Sequence, residues 1–184
     1  MALKHLTSSV FVFRRFTDGW RTGLIRHPRL HKMMIPGGHV EPEESSAEAA
    51  LREVAEETGL AVTLVSPPAA PVPDGYRGRR VALPWWIAEY QVKPDNHLDV
   101  AHVHVDHLYV AVANGTPPPG VSLPEAAHQF GWYAAGDLPG LDMFEDARLL
   151  ARLLLTGLAG GADGADAAAT AALVAGLRGT SDGL

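Results

Sequence analysis

Glu53, Glu56 and Glu57 fall at i, i+3 and i+4. On a helix those positions project from one side, so their carboxylates converge. Like charges at that spacing oppose helix formation by about 0.2–0.5 kcal/mol per pair. The neighbouring cation, Arg52, also stands four residues after Glu48, in the order that favours an ion pair, which leaves the trio short of a counter-charge. A hard divalent cation would supply it, because carboxylate oxygens suit magnesium or manganese. A solvated acidic helix face is the alternative reading of the same residues. The preceding Pro36-Gly37-Gly38 favours the cation, since it brings bare backbone near the helix, where a carbonyl could join a metal.

The helix that must hold this trio is marked at both ends. Ser45 is an N-cap with Glu48 three residues on, a capping box. Gly59 stands where a left-handed C-terminal residue belongs. Ala47, Ala50, Leu51, Val54 and Thr58 form the apolar stripe expected to pack on a sheet. Ala49, on the acidic side, is expected to leave room for a ligand.

Around this helix the pattern predicts strands over Thr7–Phe13 and Thr22–Arg26, joined by an Asp18-Gly19 turn. Arg29–Met34 leads into the Pro36–Gly38 loop. Further strands are expected over Leu60–Val65, Val81–Val92, His102–Val112 and Phe130–Ala134, and a second helix over Glu145–Leu155. Ser66–Arg80 and Asn114–Pro124 read as proline-rich loops. These elements predict an α/β sandwich rather than a strict βαβ ladder. Residues 1–156 read as one domain, and 157–184 as an Ala/Gly-rich tail with a candidate helix at Thr170–Leu177.

The segment GHVEPEESSAEAALREVAEETGL, Gly38–Leu60, resembles the Nudix box. That pattern is Gly, five residues, Glu, seven residues, Arg-Glu-aliphatic, one residue, Glu-Glu, one residue, Gly-aliphatic. The chain supplies Gly38, Glu44, Arg52-Glu53-Val54, Glu56-Glu57 and Gly59-Leu60 with every spacer correct. The resemblance implies a Nudix-type α/β/α sandwich with a mixed sheet, and a pyrophosphohydrolase that uses Mg2+, with Mn2+ able to substitute. It implies that Glu53, Glu56 and Glu57 are metal ligands, with the Gly37 carbonyl as a further one. Glu53 or Glu57 would also orient or deprotonate the attacking water, Arg52 would hold a box glutamate in place, and Glu44 would fasten the loop to the helix. The substrate implied is a nucleoside diphosphate linked to a group X, such as a nucleoside triphosphate or a modified nucleotide. The long loops outside the box would select it.

Two rival readings share the scaffold. A prenyl diphosphate isomerase is disfavoured, because the known enzymes of that kind use a cysteine and this chain has none. A non-catalytic nucleotide sensor is disfavoured, because sensors usually lose box glutamates.

Weaker candidates lie elsewhere. Arg26 could touch a phosphate or be a plain surface arginine, Glu125 could act as a later acidic ligand or base, and Phe144 could line a base pocket, with core packing its plainer reading. Trp85 and Trp86 are expected on opposite faces of a strand, as packing or as a base-stacking surface. His102, His104 and Asp106 alternate, so they share one face of a strand. The plainer reading of these three is the polar side of a half-buried strand, and the sharper one a substrate contact or second metal site.

The net charge of -6 and the lack of a long Lys/Arg block argue against a duplex-binding surface. The absence of cysteine fits a reducing compartment. No 18-residue apolar run or secretory leader is evident, so the expectation is a cytoplasmic protein without a membrane partner, with a homodimer left open.

Overall fold

The structure is a computed structural model that describes residues 2–95, 97–114, 129–160 and 175. Its frame is one mixed sheet. Strand β1 (Lys4–Phe16) pairs antiparallel with β2 (Gly19–Arg26), and β2 with β3 (Met33–Met34). Strand β4 (Gly37–His39) lies antiparallel beside β1. After helix α1 (Ser46–Thr58), strands β5 (Val62–Val65) and β6 (Trp86–Val92) both pair antiparallel with β7 (His102–Ala113). Strand β8 (Gln129–Tyr133) pairs with β2, and helix α2 (Glu145–Leu158) closes the described fold. Strands β1 and β7 pair in parallel, running from Lys4↔Val103 to Phe13↔Val112.

Strand alternation sorts the side chains into two cores. Phe11 and Phe13 of β1, and Leu108, Val110 and Val112 of β7, face α2 through Ala151, Leu154, Leu155 and Leu158. Val10 and Val12, with Tyr109, Ala111 and Ala113, face α1 through Ala47, Ala50 and Val54. A helix therefore covers each side of the sheet, which is the α/β/α sandwich that the sequence predicts.

Several elements depart from the sequence reading, each for a physical reason. Val81–Trp85 is not strand, because Pro84 has no N–H to give the ladder. Trp85 and Trp86 do not divide between the faces; both pack against the α2-side core. Gly37 and Gly38 are not loop but strand, lying flat on β1 opposite Ser9 and Ser8. The first hairpin turns at Thr17-Asp18, one residue early, and Gly19 takes the positive φ of 133° as the first residue of β2. Helix α2 extends three residues past its expected end, to Leu158.

The rest of the proposed tail lies outside the described residues, apart from Gly157–Gly160 and the helical Ala175. The 115–124 part of the second proline-rich loop also lies outside them. No helix among the described residues is long and apolar enough to cross a membrane.

Candidate metal and catalytic site

Helix α1 is fixed at both ends as its sequence demands. The Ser45 side chain accepts from the Glu48 backbone N–H at 3.4 Å, and Glu48 Oε2 accepts from the Ser45 N–H at 2.9 Å. Gly59 closes the helix at φ 69°, its N–H donating to Ala55 O. The buried arc is rotated from the expected stripe. Ala49 is fully buried and leaves no room beside the acidic face, whereas Leu51 is 41% exposed. That rotation brings Glu57 inward to 9% exposure.

Arg52 organises the acidic side. Its Nε and Nη2 hold Glu44 in a fork at 3.1 and 2.7 Å, and its Nη1 reaches Glu53 at 2.8 Å and Glu56 at 3.1 Å. Nη2 also donates to the His39 carbonyl at 3.0 Å, tying the helix to β4. The expected Glu48–Arg52 pair is absent, because the capping box engages Glu48, which also meets Arg79 at 3.0 Å. Arg52 is thus more available to the trio than the sequence suggests. Its one positive charge is still shared among three carboxylates, those of Glu44, Glu53 and Glu56.

Burial separates these glutamates. Glu56 is mostly exposed. Glu53 is pushed above the usual carboxylate range, first by desolvation, against the opposing pull of Arg52. Glu57 is pushed up to about 8, again chiefly by desolvation, although it accepts the Gly37 N–H at 2.9 Å. Two half-starved carboxylates on one helix face are an all-oxygen donor set that a hard cation would restore to full charge. The residues therefore fit a magnesium-type ion, and the neighbouring Gly37 supplies backbone beside Glu57.

The two glycines of β4 are there for space. A Cβ on Gly38 would stand 2.3 Å from Glu53 Oε1, so the carboxylate lies directly on the strand. A Cβ on Gly37 would stand 2.4 Å from the Ser8 carbonyl oxygen and 2.7 Å from Ser9 Cα, both backbone.

The weaker candidates fall elsewhere. Arg26 ends β2, exposed, and Phe144 precedes α2, 43% exposed with the Lys32 ammonium 5.6 Å from its ring centroid. Phe144 is thus not core. Among the described residues no hydrogen bond or ion pair joins either to the Arg52 network. Glu125 lies outside the described residues.

The His102–His104–Asp106 face is not half-solvated, since His102 is 1% and Asp106 6% exposed. It also divides. Asp106 accepts from Thr7 and Ser9, and burial raises its pKa. His102 and His104 instead gather with His39 and Asp95. Desolvation, reinforced by neighbouring imidazoles, lowers His39 to about 4 and lowers His104 as well. Sequence reasoning missed His39 and Asp95, which lie in separate segments with no diagnostic spacing.

Comparison with known proteins adds a frame. A family model described as the NUDIX domain matches residues 4–153. A NUDIX-family hydrolase from Clostridium perfringens superposes with a TM-score of 0.63 at 26% identity, covering 80% of this chain and 93% of that one. A binary complex of the Caenorhabditis elegans Ap4A hydrolase gives 0.57 at 19% identity, covering 85% and 98%. The NUDIX domain of Shewanella oneidensis NrtR, complexed with ADP ribose, gives 0.54 at 17%, covering 82% and 86%. No curated protein sequence matches.

Proposed function

The chain belongs to the NUDIX family as a pyrophosphohydrolase, and from that premise we propose that it hydrolyses a phosphoanhydride bond of a nucleoside diphosphate-X compound with Mg2+ bound at Glu53, Glu56 and Glu57. The observation that carries this reading is the state of Glu53 and Glu57. Both carboxylates are withdrawn from water on one helix face, and burial above all, with their neighbouring negative charges behind it, raises the pKa of each. A protein that only needed a stable helix would gain by replacing them.

In this reading Glu53, Glu56 and Glu57 bind the ion, with the Gly37 carbonyl as a further ligand. Magnesium supplies charge screening for the diphosphate and a more acidic water. Glu53 or Glu57 takes the proton of the attacking water. A new P–O bond forms as the anhydride P–O bond breaks, and the proton passes to the leaving phosphate. Arg52 keeps Glu53 and Glu56 in position through Nη1. Gly37 N–H does the same for Glu57, and Gly38 lets the Glu53 carboxylate sit against the strand. Glu44 is structural, the anchor of Arg52.

Ap4A, which names one structural neighbour as its hydrolase, and ADP ribose, the ligand in the complex of another, both contain adenosine joined through phosphoanhydrides. They support a nucleotide as the substrate class. The test is phosphate or nucleotide release from nucleoside triphosphates, dinucleoside polyphosphates and nucleotide sugars, with Mg2+ and with chelator. Turnover that needs the metal is expected. Turnover that ignores chelator would refute the mechanism, and no turnover on any member would favour the sensor reading.

A further inference from the structure

Five of the nine histidines converge where β1, β4 and β7 meet the segment after β6. His39 lies against His97 with ring centroids 3.8 Å apart and planes tilted by 32°, and meets His104 edge-on at 4.8 Å. His5 lies 5.2 Å from His102. At the centre, His102 Nε2 stands 3.1 Å from His104 Nε2 and 3.4 Å from Asp95 Oδ2, and His104 Nε2 stands 3.6 Å from the same oxygen. A tetrahedral ion with bonds of about 2.0–2.1 Å holds its ligand atoms about 3.3–3.4 Å apart. Those three separations therefore nearly describe one face of such a tetrahedron. His39 brings a ring nitrogen within 4.8 Å of each of the other three ligand atoms.

The surroundings prepare these atoms as ligands. His102 Nδ1 lies 2.9 Å from the Val100 carbonyl. A carbonyl only accepts, so Nδ1 carries the hydrogen, which leaves Nε2 as the nitrogen whose lone pair can meet an ion. Asp95 Oδ1 accepts from the His97 and Leu98 N–H groups at 2.8 and 3.0 Å, which orients Oδ2 towards the imidazoles. His39 Nε2 is buried with no hydrogen-bond partner among the described residues. A hydrogen on His104 Nε2 could serve only one of the acceptors that face it, whereas a cation serves them all.

We propose that His39, Asp95, His102 and His104 form a closed site for a divalent transition-metal ion, with zinc the best match. Three imidazoles and one carboxylate suit zinc better than magnesium, which prefers oxygen. The site is distinct from the glutamates and does not rest on the catalytic reading. By strand alternation His102 and His104 lie on the α2 side of the sheet, whereas the glutamates sit on α1. The two sites share one backbone element, because the carbonyl of His39 accepts from Arg52. An ion here would pin the β6–β7 connection to the strand on which the acidic helix rests. An open cavity lined by His5, His39 and Glu44 gives solvent access beside it.

The test uses the untagged full chain, stripped of metal and dialysed against Zn2+ in excess Mg2+, with bound zinc counted by mass spectrometry. One zinc per chain is expected, together with a rise in Tm. Substitution with Co2+ should give the intense visible absorption of a tetrahedral centre. His104→Ala and Asp95→Ala should each weaken zinc binding at least about tenfold, with native circular dichroism. Glu53→Gln combined with Glu57→Gln should leave the stoichiometry at one. The proposal is overturned if folded wild-type protein retains no zinc or gives only the weak spectrum of octahedral cobalt. It is equally overturned if zinc is lost in the glutamate variant and kept in the His104 and Asp95 variants.

Discussion

Where α2 meets the sheet, Leu154, Leu155 and Leu158 press on Phe11, Phe13 and Val110. Where α1 meets the other side, Ala47, Ala49 and Ala50 take the place of the leucines, and Glu57 goes in with them. The first junction is built for stability, since each large aliphatic side chain withdrawn from water contributes about 1.5–3 kcal/mol. The second gives up that gain. Small side chains bring the helix backbone close to the sheet and hold carboxylates in a dry position, where an ion can use them. The difference teaches that one side of this sheet is packed for stability, while the other gives up apolar burial to hold the glutamates that the proposed reaction uses.

Substitutions should respect that division, and the sharpest break would come from Glu53→Gln. It is expected to lower kcat by about 10²–10⁴-fold with the fold intact; unchanged turnover at saturating metal would defeat the assignment. On the α2 side, Leu154→Ala should cost about 2–5 kcal/mol in chemical denaturation. Its kcat per folded molecule should stay at the wild-type value, and a large loss there would erase the contrast.

Acidity tests the α1 junction without changing its shape. Folding raises the Glu57 pKa to about 8, mainly by burial. Its ordinary value in an unfolded chain is near 4.5. The folded state thus favours the protonated form, and that contribution is full below about pH 4.5 and declines as pH rises towards 8. Metal-free protein should lose on the order of a few kcal/mol over that window. Either Glu57→Gln or saturating Mg2+ should flatten the slope, as followed by denaturant midpoints measured with and without chelator. An identical slope in the Gln variant would show that another group is responsible.

The adjacent glycines should separate stability from activity on a smaller scale. Gly37→Ala drives a methyl into the backbone of β1 and should cost about 1–3 kcal/mol. Gly38→Ala meets only the movable end of Glu53, so turnover should fall much further than stability. Equal effects of the two on Tm would contradict the geometry. The smallest change is Ser45→Ala, which removes half of a capping box and should cost about 1 kcal/mol in thermal or denaturant unfolding.

What the sequence disclosed follows the range of the forces involved. Helix α1 was legible to its caps, because Ser45, Glu48 and Gly59 act within a few residues of one another. The strands read at Thr7–Phe13 and His102–Val112, mixed with two helices, were enough to expect an α/β sandwich. Longer-range choices were hidden. Arg52 takes Glu44 rather than Glu48, because Glu48 already caps the helix. Gly37 and Gly38 become strand only because β1 lies alongside to receive them. Of the candidate site, the acidic trio was visible as a spacing. The burial that distinguishes Glu57 from Glu56 depends on how the helix is rotated, and no local pattern records that. His39 and Asp95 came from segments more than 50 residues apart in the chain.

The parallel pairing of β1 with β7 joins Lys4 to Val103 across almost a hundred residues. During synthesis, at about 5–20 residues per second, the first strand leaves the ribosome on the order of 5–20 s before the partner it needs. Throughout that interval residues 10–13, wholly buried in the finished protein, have β2 and β4 on one side of their strand but lack β7 on the other. A nascent chain halted short of Ala113 would therefore carry β1 with one edge unpaired, an edge of the kind that invites pairing with another chain.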